Sequence, residues 1–580
     1  MIALFAAAGY RDQSPFRSLI SPIAVASVLL IAGFLQSFGQ GIQDRVCVSG
    51  ATPAGVIGAL GTARDGSRSC LSTPARREPK KYDVCVYGGT PSGIMAAVAA
   101  ARHGAQVCLL EPTRHVGGMV ASGLSVTDIG NMATIGGYAL EFFKRIAVEY
   151  QAGKGPVWNF EPHIAEKVFI DLLNEAGVDV FLSSPLREDN GVIVDQQAIV
   201  QVITARGRHV SAKVFIDSGY EGDLMASAGV TFTWGRESVS QYGESLAGVI
   251  LSSQFDVNIH AYDGAGQLLP DVGVQPRGNP GSGDQKSQAY NFRLSASSDP
   301  LNSVPFPKPQ DYDPKRYAIL AKLIAGRTQR DGQPPALDTL LRVSEYHHHK
   351  ADINNSGPYS TDVVGSNWGY PNSTYSQRAQ MRSAYVNYTA GLLYYLANDE
   401  QVPAILRQAL GIWGLAKDEF TDNGNWPYQL YVREGRRMIG SFVLTQKDVQ
   451  TDLSKSDSIG VGSYNIDSHS VQRFIDANGN IQNEGLIDTA SKPYEIPYRV
   501  MLPTRSDPRN LLVSVCVSSS HVAFSSLRVE TVYMTLGQAA GTAASRAAVF
   551  NTDMRDIDVA ALQQVLSADG SILNPPRQTP

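Results

Sequence analysis

The hydrophobic pattern is most regular in one early segment, where short apolar runs flank an Ala-rich stretch. Asp83–Tyr87 and Val107–Leu110 are short apolar runs, which predicts two buried strands. Ile94–Arg102 has the length and alanine content of a helix. Residues 88–93 between the first strand and the helix read GGTPSG and predict a tight turn. The pattern therefore predicts a strand–turn–helix–strand unit, with Glu111 at the carboxyl end of its second strand.

The residues of this turn favour dinucleotide binding. Without side-chain bulk at Gly88, Gly89 and Gly93, backbone N–H groups can approach a pyrophosphate, and the helix dipole favours its charge. Glu111 is placed to accept hydrogen bonds from an adenosine ribose. Thr90 departs from the motif, since glycine is usual at that position. The alternative interpretation is a plain βαβ unit with a tight turn.

A second copy of the unit lies upstream. Residues 46–74 align with residues 84–112 without a gap, and 14 of the 29 positions are identical. The upstream copy has Thr73 in place of the acid and two glycines in its would-be helix, each costing about 1 kcal/mol relative to alanine. We interpret residues 40–81 as a degenerate partial duplicate and linker, or as a wrongly assigned gene start. The downstream copy is expected to bind the nucleotide.

Beyond this unit the pattern changes. Ile193–Thr204 and His209–Ile216 are typical of β-ribbon strands. A loop-rich stretch with many Tyr, Asn, Pro and Gly residues follows, with a helix near Ser376–Asn398, and Val529–Phe550 predicts a long Ala- and Gly-rich helix. We predict an α/β fold, in which a Rossmann-like nucleotide-binding domain with a β-ribbon is interrupted by a large α+β substrate domain.

The predicted boundaries follow from these changes. They are 1–39 for a signal peptide or membrane anchor, 40–81 for the duplicate and linker, 82–235 and 505–552 for the two parts of the nucleotide-binding domain, 236–504 for the substrate or cap domain, and 553–580 for a C-terminal helix and tail.

The N-terminal segment has the pattern of a secretory signal. Arg11 and Arg17 precede an apolar run from Ile20 to Leu35, which small residues follow. The run is short for a transmembrane span, and an uncleaved anchor or a misassigned start are the alternatives. We therefore expect an exported protein, periplasmic or secreted, with membrane contact only if the segment stays uncleaved.

Composition excludes some classes of function. A net charge of −5 over 580 residues indicates no nucleic-acid partner. The five cysteines form no C-x-x-C pair, so neither an iron–sulfur nor a zinc site is supported, and no metal is predicted. We interpret His347–His349 as a polar approach to the segment that follows, with metal binding as the alternative.

Several separate motifs, in order along the chain, resemble a known family. They are VYGGTPSG with Glu111, HVGGM, FIDSGYEGDLMASAG, KADINNSGPYSTDVVGSNWGYP, VREGRRMIG, IDSHSVQR and SSSHVAFSSLRVETVYMTLGQAAG. From about Tyr82 to Leu566 the chain resembles the FAD-dependent oxidoreductase family of the glutathione-reductase-like flavoprotein superfamily, which is related to the flavin subunit of heterodisulfide reductase. The iron–sulfur cysteines of that reductase are absent from the sequence, so its chemistry is not implied.

The resemblance implies FAD as the tightly held cofactor, in a domain formed by both ends of the chain. The implied cofactor contacts are the turn residues Gly88, Gly89, Thr90 and Gly93, the acid Glu111, then Gly117 and Gly118 along the diphosphate, Asp217 and Gly219 at a second strand end, and Gly537, Gln538 and Gly541 at the beginning of the last helix. The dipole of that helix would stabilise negative charge on reduced flavin.

Two histidines and two arginines are the catalytic candidates. His469 and His521 lie among small polar residues, and an imidazole suits general-base catalysis at neutral pH; a structural or surface histidine is the alternative for each. Asp467 is spaced to orient His469. Arg437 and Arg528 are candidates for clamping a substrate carboxylate or the flavin diphosphate, with internal ion pairing as the alternative.

The expected reaction is hydride transfer between flavin N5 and a small polar organic substrate, sugar-like or a hydroxy acid, with an unknown electron acceptor. One alternative is a flavin-fold oxidase or lyase-like enzyme that acts on glycans. The other is a catalytically silent FAD-fold binding protein.

Overall fold

The structure is a computed structural model that describes residues 47–49, 70–72, 80–153, 155–252 and 254–576. The chain forms two compact units, residues 1–78 and residues 79–580. The predicted signal peptide or anchor, residues 1–39, lies outside the described residues. Within the described ranges, none of the helices has both the length and the hydropathy needed to cross a membrane.

The described part of the first unit is a pair of short parallel strands, β1 (Cys47–Ser49) and β2 (Cys70–Ser72). They pair so that their first residues are opposite each other. The aligned residues of the downstream sequence copy, Cys85 and Cys108, are likewise register partners in a parallel pair of the second unit. The two sequence copies thus share one strand register.

The second unit is a mixed α/β structure. Its strands are β3 (Lys81–Tyr87), β4 (Val107–Leu110), β5 (Asp179–Phe181), β6 (Val192–Asp195), β7 (Ala198–Ile203), β8 (His209–Asp217), β9 (Phe232–Thr233), β10 (Leu294–Ser297), β11 (Ser303–Val304), β12 (Leu341–Glu345), β13 (Lys350–Asn355), β14 (Gly414–Ala416), β15 (Arg437–Met438), β16 (Ser458–Gly462), β17 (Ile466–Ser468), β18 (Gln472–Ile475), β19 (Ile481–Glu484), β20 (Ile487–Thr489), β21 (Tyr494–Pro497) and β22 (Leu511–Val513).

Its α-helices are α1 (Pro91–Arg102), α2 (Gly137–Glu149), α3 (Pro162–Glu175), α4 (Asp223–Ser227), α5 (Val239–Tyr242), α6 (Ala318–Asp331), α7 (Tyr375–Asn398), α8 (Ala404–Gly411), α9 (Gln446–Gln450), α10 (His521–Leu527), α11 (Glu530–Phe550) and α12 (Val559–Ala568).

A seven-stranded sheet has the order β5-β4-β3-β8-β7-β6, with β22 paired to the end of β8. At its centre β3 runs parallel to β4 on one side and to β8 on the other. All four residues of β4 are buried, as the apolar run predicted. Because the strands are parallel, the carboxyl ends of β3, β4 and β8 meet at one edge of the sheet, where ligands bind in open α/β sheets.

The prediction of one strand over Ile193–Thr204 is wrong. The segment forms a hairpin, β6 and β7, with a register shift near its turn. Gln196 and Gln197 form that turn with φ of 46° and 58°, a left-handed conformation that two-residue hairpin turns require. The β-ribbon is therefore built from β6, β7 and the first residues of β8.

Helices α1 and α11 pack with their backbones in close contact. A Cβ added at Gly537 would overlap the carbonyl oxygen of Ser92, and one at Gly541 would overlap that of Ala96. The two glycines are one turn apart on the same helix face, so together they form a groove for α1. The expectation that Gly537, Gln538 and Gly541 begin the last helix is wrong, because α11 begins at Glu530.

The insertion between β9 and α10 has its own sheet, with the order β11-β14-β10-β13-β12. Helix α7, predicted from sequence near Ser376–Asn398, begins with a capping box in which Thr374 and Gln377 satisfy each other's backbone N–H groups. Four short two-stranded pairs complete the described strands of the second unit outside the two larger sheets. The stretch that the sequence predicts to be loop-rich is therefore folded, with many short strands and helices.

A buried lysine joins this insertion to the first part of the chain. The Nζ of Lys350, at the beginning of β13, lies 2.6 Å from Glu161, 2.7 Å from Glu419 and 2.8 Å from Asp418. Glu161, His163 and Glu419 have the spacing of a metal site, but the ammonium group already supplies a cation to both glutamates. Burial alone would raise the pKa of Glu161, yet Lys350 lowers it.

Replacing Gly541 with alanine should destabilise the second unit by about 1–3 kcal/mol, because the added methyl group overpacks the contact with α1. Gly411→Ala is the matched control: this glycine ends α8 with nothing within 4 Å of its ideal Cβ position. The control should be neutral or gain less than about 1 kcal/mol. Thermal unfolding of the two variants measures the difference, and equal midpoints would contradict the packing argument.

Lys350→Met should cost about 3–5 kcal/mol, because it leaves buried carboxylates without their cation. The stabilisation is present at neutral pH and is lost as the pH falls through the lowered pKa of Glu161. Lys167→Met is the control, since Lys167 also binds two carboxylates, at 2.7 and 2.9 Å, but has a half-exposed side chain. Its loss should cost less than about 1 kcal/mol. Denaturant unfolding of both variants at pH 7 and at acidic pH tests this, and a Lys350→Met variant as stable as the control would refute it.

Candidate active site

The glycine turn connects β3 to α1 at the carboxyl edge of the central sheet. Gly88 has φ of +97°, and a Cβ there would lie 2.8 Å from the backbone nitrogen of Gly219. Thr90 is the N-cap of α1: its Oγ1 accepts a hydrogen bond from Gly93 N at 3.2 Å and donates to Ser218 O at 2.8 Å. Threonine is thus present at the usual glycine position because it caps the helix and binds the strand end of β8.

Glu111 is held against the turn from the end of β4. Its Oε2 accepts from Gly89 N at 2.6 Å, and its Oε1 accepts from Thr113 N, also at 2.6 Å. Burial raises the pKa of this carboxyl group. A carboxylate has about four acceptor positions, so Glu111 retains acceptor capacity beyond these two backbone bonds.

Two adjoining cavities, of about 230 and 30 Å³, lie along the turn and share Thr90, Glu111 and Tyr220 in their walls. Gly88 and Gly219 line the larger cavity, and Gly118 lines the smaller one. The insertion contributes the opposite wall, with the side chains of Tyr370, Tyr375, Arg378, Arg382 and Tyr428. Together the cavities form a groove that has bare backbone and a carboxylate on one side and aromatic and cationic groups on the other.

Other predicted cofactor residues support this groove from behind. Gly93 packs against the carbonyl group of Gly88, and Gly117 adopts φ of +98° where a Cβ would meet Phe169. The carboxylate of Asp217 accepts from Gly219 N at 3.0 Å and from Met225 N at 2.7 Å. Burial raises its pKa to about 7. Asp217 therefore holds the second strand end in place, with its side chain directed to the backbone.

The predicted place of Gln538 at the beginning of a helix is also wrong. This residue lies in the interior of α11, and its Oε1 accepts a hydrogen bond from Tyr138 N at 2.8 Å. With Gly537 and Gly541 it belongs to the packing face of α11, and none of the three lines the described cavities along the turn.

A larger cavity of about 440 Å³ is lined mainly by the insertion, with Asp128 from the first part of the chain and Arg528 from the connection between α10 and α11. Its wall is mostly polar and includes four arginines, four aspartates, His469, three asparagines and two tyrosines; the charged members are Asp128, Arg293, Arg342, Asp362, Arg433, Asp467, Asp488 and Arg528. Of the four predicted catalytic residues, His469 and Arg528 line this cavity.

His469 stands at the centre of a row of alternating charges. Its Nδ1 lies 2.6 Å from Asp362 Oδ2, and Asp362 Oδ1 lies 2.9 Å from Arg433 Nη1. On the other side, His469 Nε2 lies 3.7 Å from Asp467 Oδ2, which is 3.1 Å from Arg528 Nη2. The row is Arg433, Asp362, His469, Asp467, Arg528, and its members all face the cavity.

The two ring nitrogens of His469 differ in their surroundings. Nδ1 is engaged by Asp362, whereas Nε2 makes no hydrogen bond to any residue that the structure describes. Burial alone would raise the pKa of Asp362, but Arg433 and His469 lower it, so the carboxylate is ionised and accepts from Nδ1–H. In the neutral imidazole this leaves the Nε2 lone pair available to accept a proton.

The prediction that His521 is a catalytic group is contradicted by its position. The side chain is buried at the beginning of α10, where Nδ1 lies 2.8 Å from Glu434 and Nε2 lies 3.3 Å from Ser468 Oγ. Burial and the nearby Arg437 lower its pKa to about 3. His521 therefore stays neutral as part of an internal network and does not line the large cavity.

Arg437 is likewise an internal residue. Its guanidinium group is fully buried and is paired with Glu434 and, at 2.6 Å, with Glu237. It also donates to the carbonyl oxygens of Ser519 and Gly235. The alternative of internal ion pairing is the one that its contacts support.

Sequence reasoning missed Asp362 as the partner of His469 and favoured Asp467 instead. Asp362 belongs to the motif KADINNSGPYSTDVVGSNWGYP, which carries part of the family resemblance. No spacing rule connects it to His469, because the two residues are 107 positions apart. The motif indicates that this segment is functionally relevant, but it does not single out Asp362.

The chain was compared with family models, with curated proteins and with solved structures. A sequence model of the family described as FAD dependent oxidoreductase matches residues 83–566. A search of curated proteins finds no match. Many solved structures match, with low overall similarity.

Among those structures is a geranylgeranyl bacteriochlorophyll reductase-like protein from Thermoplasma acidophilum, with 12% identity, 85% of each chain covered and a TM-score of 0.34. The OxyS anhydrotetracycline hydroxylase from Streptomyces rimosus has 15% identity over 27% of this chain and 36% of its own, with a TM-score of 0.22. THI4 of Thermovibrio ammonificans has 15% identity over 38% of this chain and 76% of its own, with a TM-score of 0.21.

The match thus spans about a third of the hydroxylase, whereas the family model covers most of this chain. The motifs, the parallel sheet and the family match agree. The chain belongs to the FAD dependent oxidoreductase family and is an FAD-dependent oxidoreductase, with FAD as its cofactor.

Proposed function

We propose that the protein oxidises a small polar organic substrate in the 440 Å³ cavity, with His469 as the general base. The observation that carries the proposal is the asymmetry of His469: Asp362 holds Nδ1 at 2.6 Å, and Nε2 faces the cavity without a hydrogen bond to the described residues. Such a base, oriented by a buried carboxylate, suits removal of a hydroxyl proton at neutral pH.

The groove along the glycine turn presents contacts suited to the ribose and diphosphate of FAD. A Cβ at Gly88 would collide with the backbone of Gly219, so glycine lets the two strand ends lie together in the wall of the groove. Glu111 offers a buried carboxylate with free acceptor capacity for a ribose hydroxyl. We propose that Gly88, Gly89, Thr90, Glu111, Gly118 and Gly219 hold the cofactor in a Rossmann-like domain of the glutathione-reductase-like type. FAD, when bound, supplies the hydride or electron acceptor.

The side chains of the protein transfer the substrate proton and orient the substrate. His469 accepts the substrate proton at Nε2, while Asp362 stabilises the imidazolium through Nδ1–H. Arg433 keeps Asp362 ionised, and its loss would leave that carboxylate buried without a cation. Burial alone would raise the pKa of Asp467, but His469 and Arg528 lower it, so Asp467 stays an acceptor at the cavity wall. These groups orient the substrate and hold its proton.

We further propose that the protein is exported. The N-terminal pattern of residues 1–39 supports a periplasmic or secreted enzyme. The relation to the flavin subunit of heterodisulfide reductase is proposed at the level of the cofactor domain only.

Glu111→Ala should weaken FAD binding by on the order of ten- to a hundredfold, because a hydrogen bond to a charged group contributes about 1.5–3 kcal/mol. FAD retained after gel filtration, read from the flavin absorbance per protein, measures the loss. Glu175→Ala is the control, since Glu175 binds Arg145 at the surface. Full FAD occupancy of the Glu111→Ala variant would show that the groove is not the cofactor site.

His469→Gln should lower the rate of flavin reduction by a donor substrate by about 10²–10⁴-fold, the usual contribution of a general base. Asp362→Asn should lower the rate less and move the acidic limb of the pH–rate profile to lower pH, because a carboxylate that favours the imidazolium is lost. Anaerobic stopped-flow absorbance across pH 5–9 measures both.

His209→Gln is the control, since His209 is exposed and bonded to Gln201. It should leave the rate and the profile unchanged. A His469→Gln variant with the unaltered rate would exclude His469 as the base, and an unmoved limb in Asp362→Asn would exclude its coupling to Asp362.

A further inference from the structure

We infer that the substrate is a neutral polyhydroxylated compound, such as a sugar or sugar alcohol, and not a hydroxy acid. The inference rests on the proposed function and decides between its two substrate classes. It follows from how the charges in the wall of the large cavity are paired.

Each buried arginine of the wall already has its own aspartate. Arg293 binds Asp352 through two hydrogen bonds, of 2.9 and 2.5 Å, and both side chains are buried. The other two pairs, at 2.9 and 3.1 Å, are the ends of the charge row described above. The buried cations are therefore neutralised within the protein before any ligand binds.

Asp128 adds a further negative charge. It lines the cavity, is partly buried and has no ion-pair or hydrogen-bond partner among the described residues. Three buried arginines thus face four aspartates, and the wall has no net positive charge. A substrate carboxylate would lose its hydration without gaining a free cation, and it would meet the charge of Asp128.

The same wall suits hydroxyl groups, each of which can donate one hydrogen bond and accept two. Along the row, arginine donors alternate with aspartate acceptors and with His469. Gln254, Asn354 and Asn355 add amide donors and acceptors, and Tyr431 and Tyr464 add ring surface. Adjacent hydroxyls on one carbon skeleton can therefore pair with successive members of the row.

One cation of the cavity is different. The side chain of Arg342 is exposed and has no ion-pair or hydrogen-bond partner in the part of the chain that the structure describes. Asp488, also exposed, lines the same cavity. An acidic substrate could reach only this solvent-facing guanidinium, where screening keeps an ion pair weak. Binding of an acidic substrate to Arg342 is the alternative to the inference, so the experiment includes acidic donors.

The test uses the FAD-loaded full chain under anaerobic conditions and follows bleaching of the flavin absorbance. Two matched donor series share their skeletons: glucose, galactose and sorbitol against glucuronate, galacturonate and gluconate. We expect the neutral series to bleach the flavin, with a second-order rate constant of bleaching that is lower by about 100-fold for the acids. Acids that bleach as well as their neutral partners, or better, would overturn the inference and leave the proposed function standing.

The remaining outcomes are also distinct. Bleaching by hydroxy acids or amines alone overturns the inference but not the proposed function. If no donor bleaches a flavin that dithionite reduces, the proposed function falls, and the inference falls with it.

A variant separates charge from shape. Asp128→Asn removes this carboxylate at nearly constant volume and should raise the second-order rate constant of bleaching by the acids, relative to the neutral series, by about tenfold. Asp195→Asn is the control, because Asp195 is exposed on the β-ribbon. An unchanged ratio in Asp128→Asn would show that the wall charge does not determine the substrate class.

Discussion

The backbone contact between α1 and α11 is the constraint on which the site depends. It brings together segments about 440 positions apart in sequence, because Gly537 and Gly541 lie directly against Ser92 and Ala96. Hydroxyl hydrogen bonds reinforce it: Ser514 Oγ lies 2.8 Å from both Ser92 Oγ and Ser218 Oγ. Arg528 directly precedes α11, so its place in the cavity wall follows from where α11 packs.

The charge row around His469 contributes little to stability by itself. Buried ion pairs lose in desolvation much of what they gain in attraction, although breaking one costs about 3–5 kcal/mol. What the row provides is orientation: Asp362 is held by Arg433 from one side and holds His469 on the other. The Arg433 guanidinium is itself anchored on Ala289 O at 2.5 Å. The base is therefore fixed by groups that cannot move independently.

The parts that could be predicted from sequence are those that depend on neighbouring residues. The strand–turn–helix–strand unit follows from local periodicity, and the departure at Thr90 is local too, since it is a helix cap. His469 and His521 have similar polar neighbours in sequence, yet one faces a cavity and the other is buried. Burial depends on long-range packing, which composition does not encode. Asp362 was missed for the same reason, because its partner comes from a distant segment.

Arginines of the insertion bind the beginning of α4, the short helix that follows β8, through charge. Arg378 lies 2.8 Å from Asp223, and Arg436 lies 2.7 Å from the same carboxylate. All three side chains are largely buried, so separating the insertion from α4 would leave buried charges unpaired at a cost of about 3–5 kcal/mol for each broken pair. Opening the groove in this way is therefore unfavourable, and substrate exchange is expected through the solvent-facing side of the large cavity, where Arg342 and Asp488 are exposed. Asp223 and Arg378 both line this groove, so two sides of its wall are held together by buried charge.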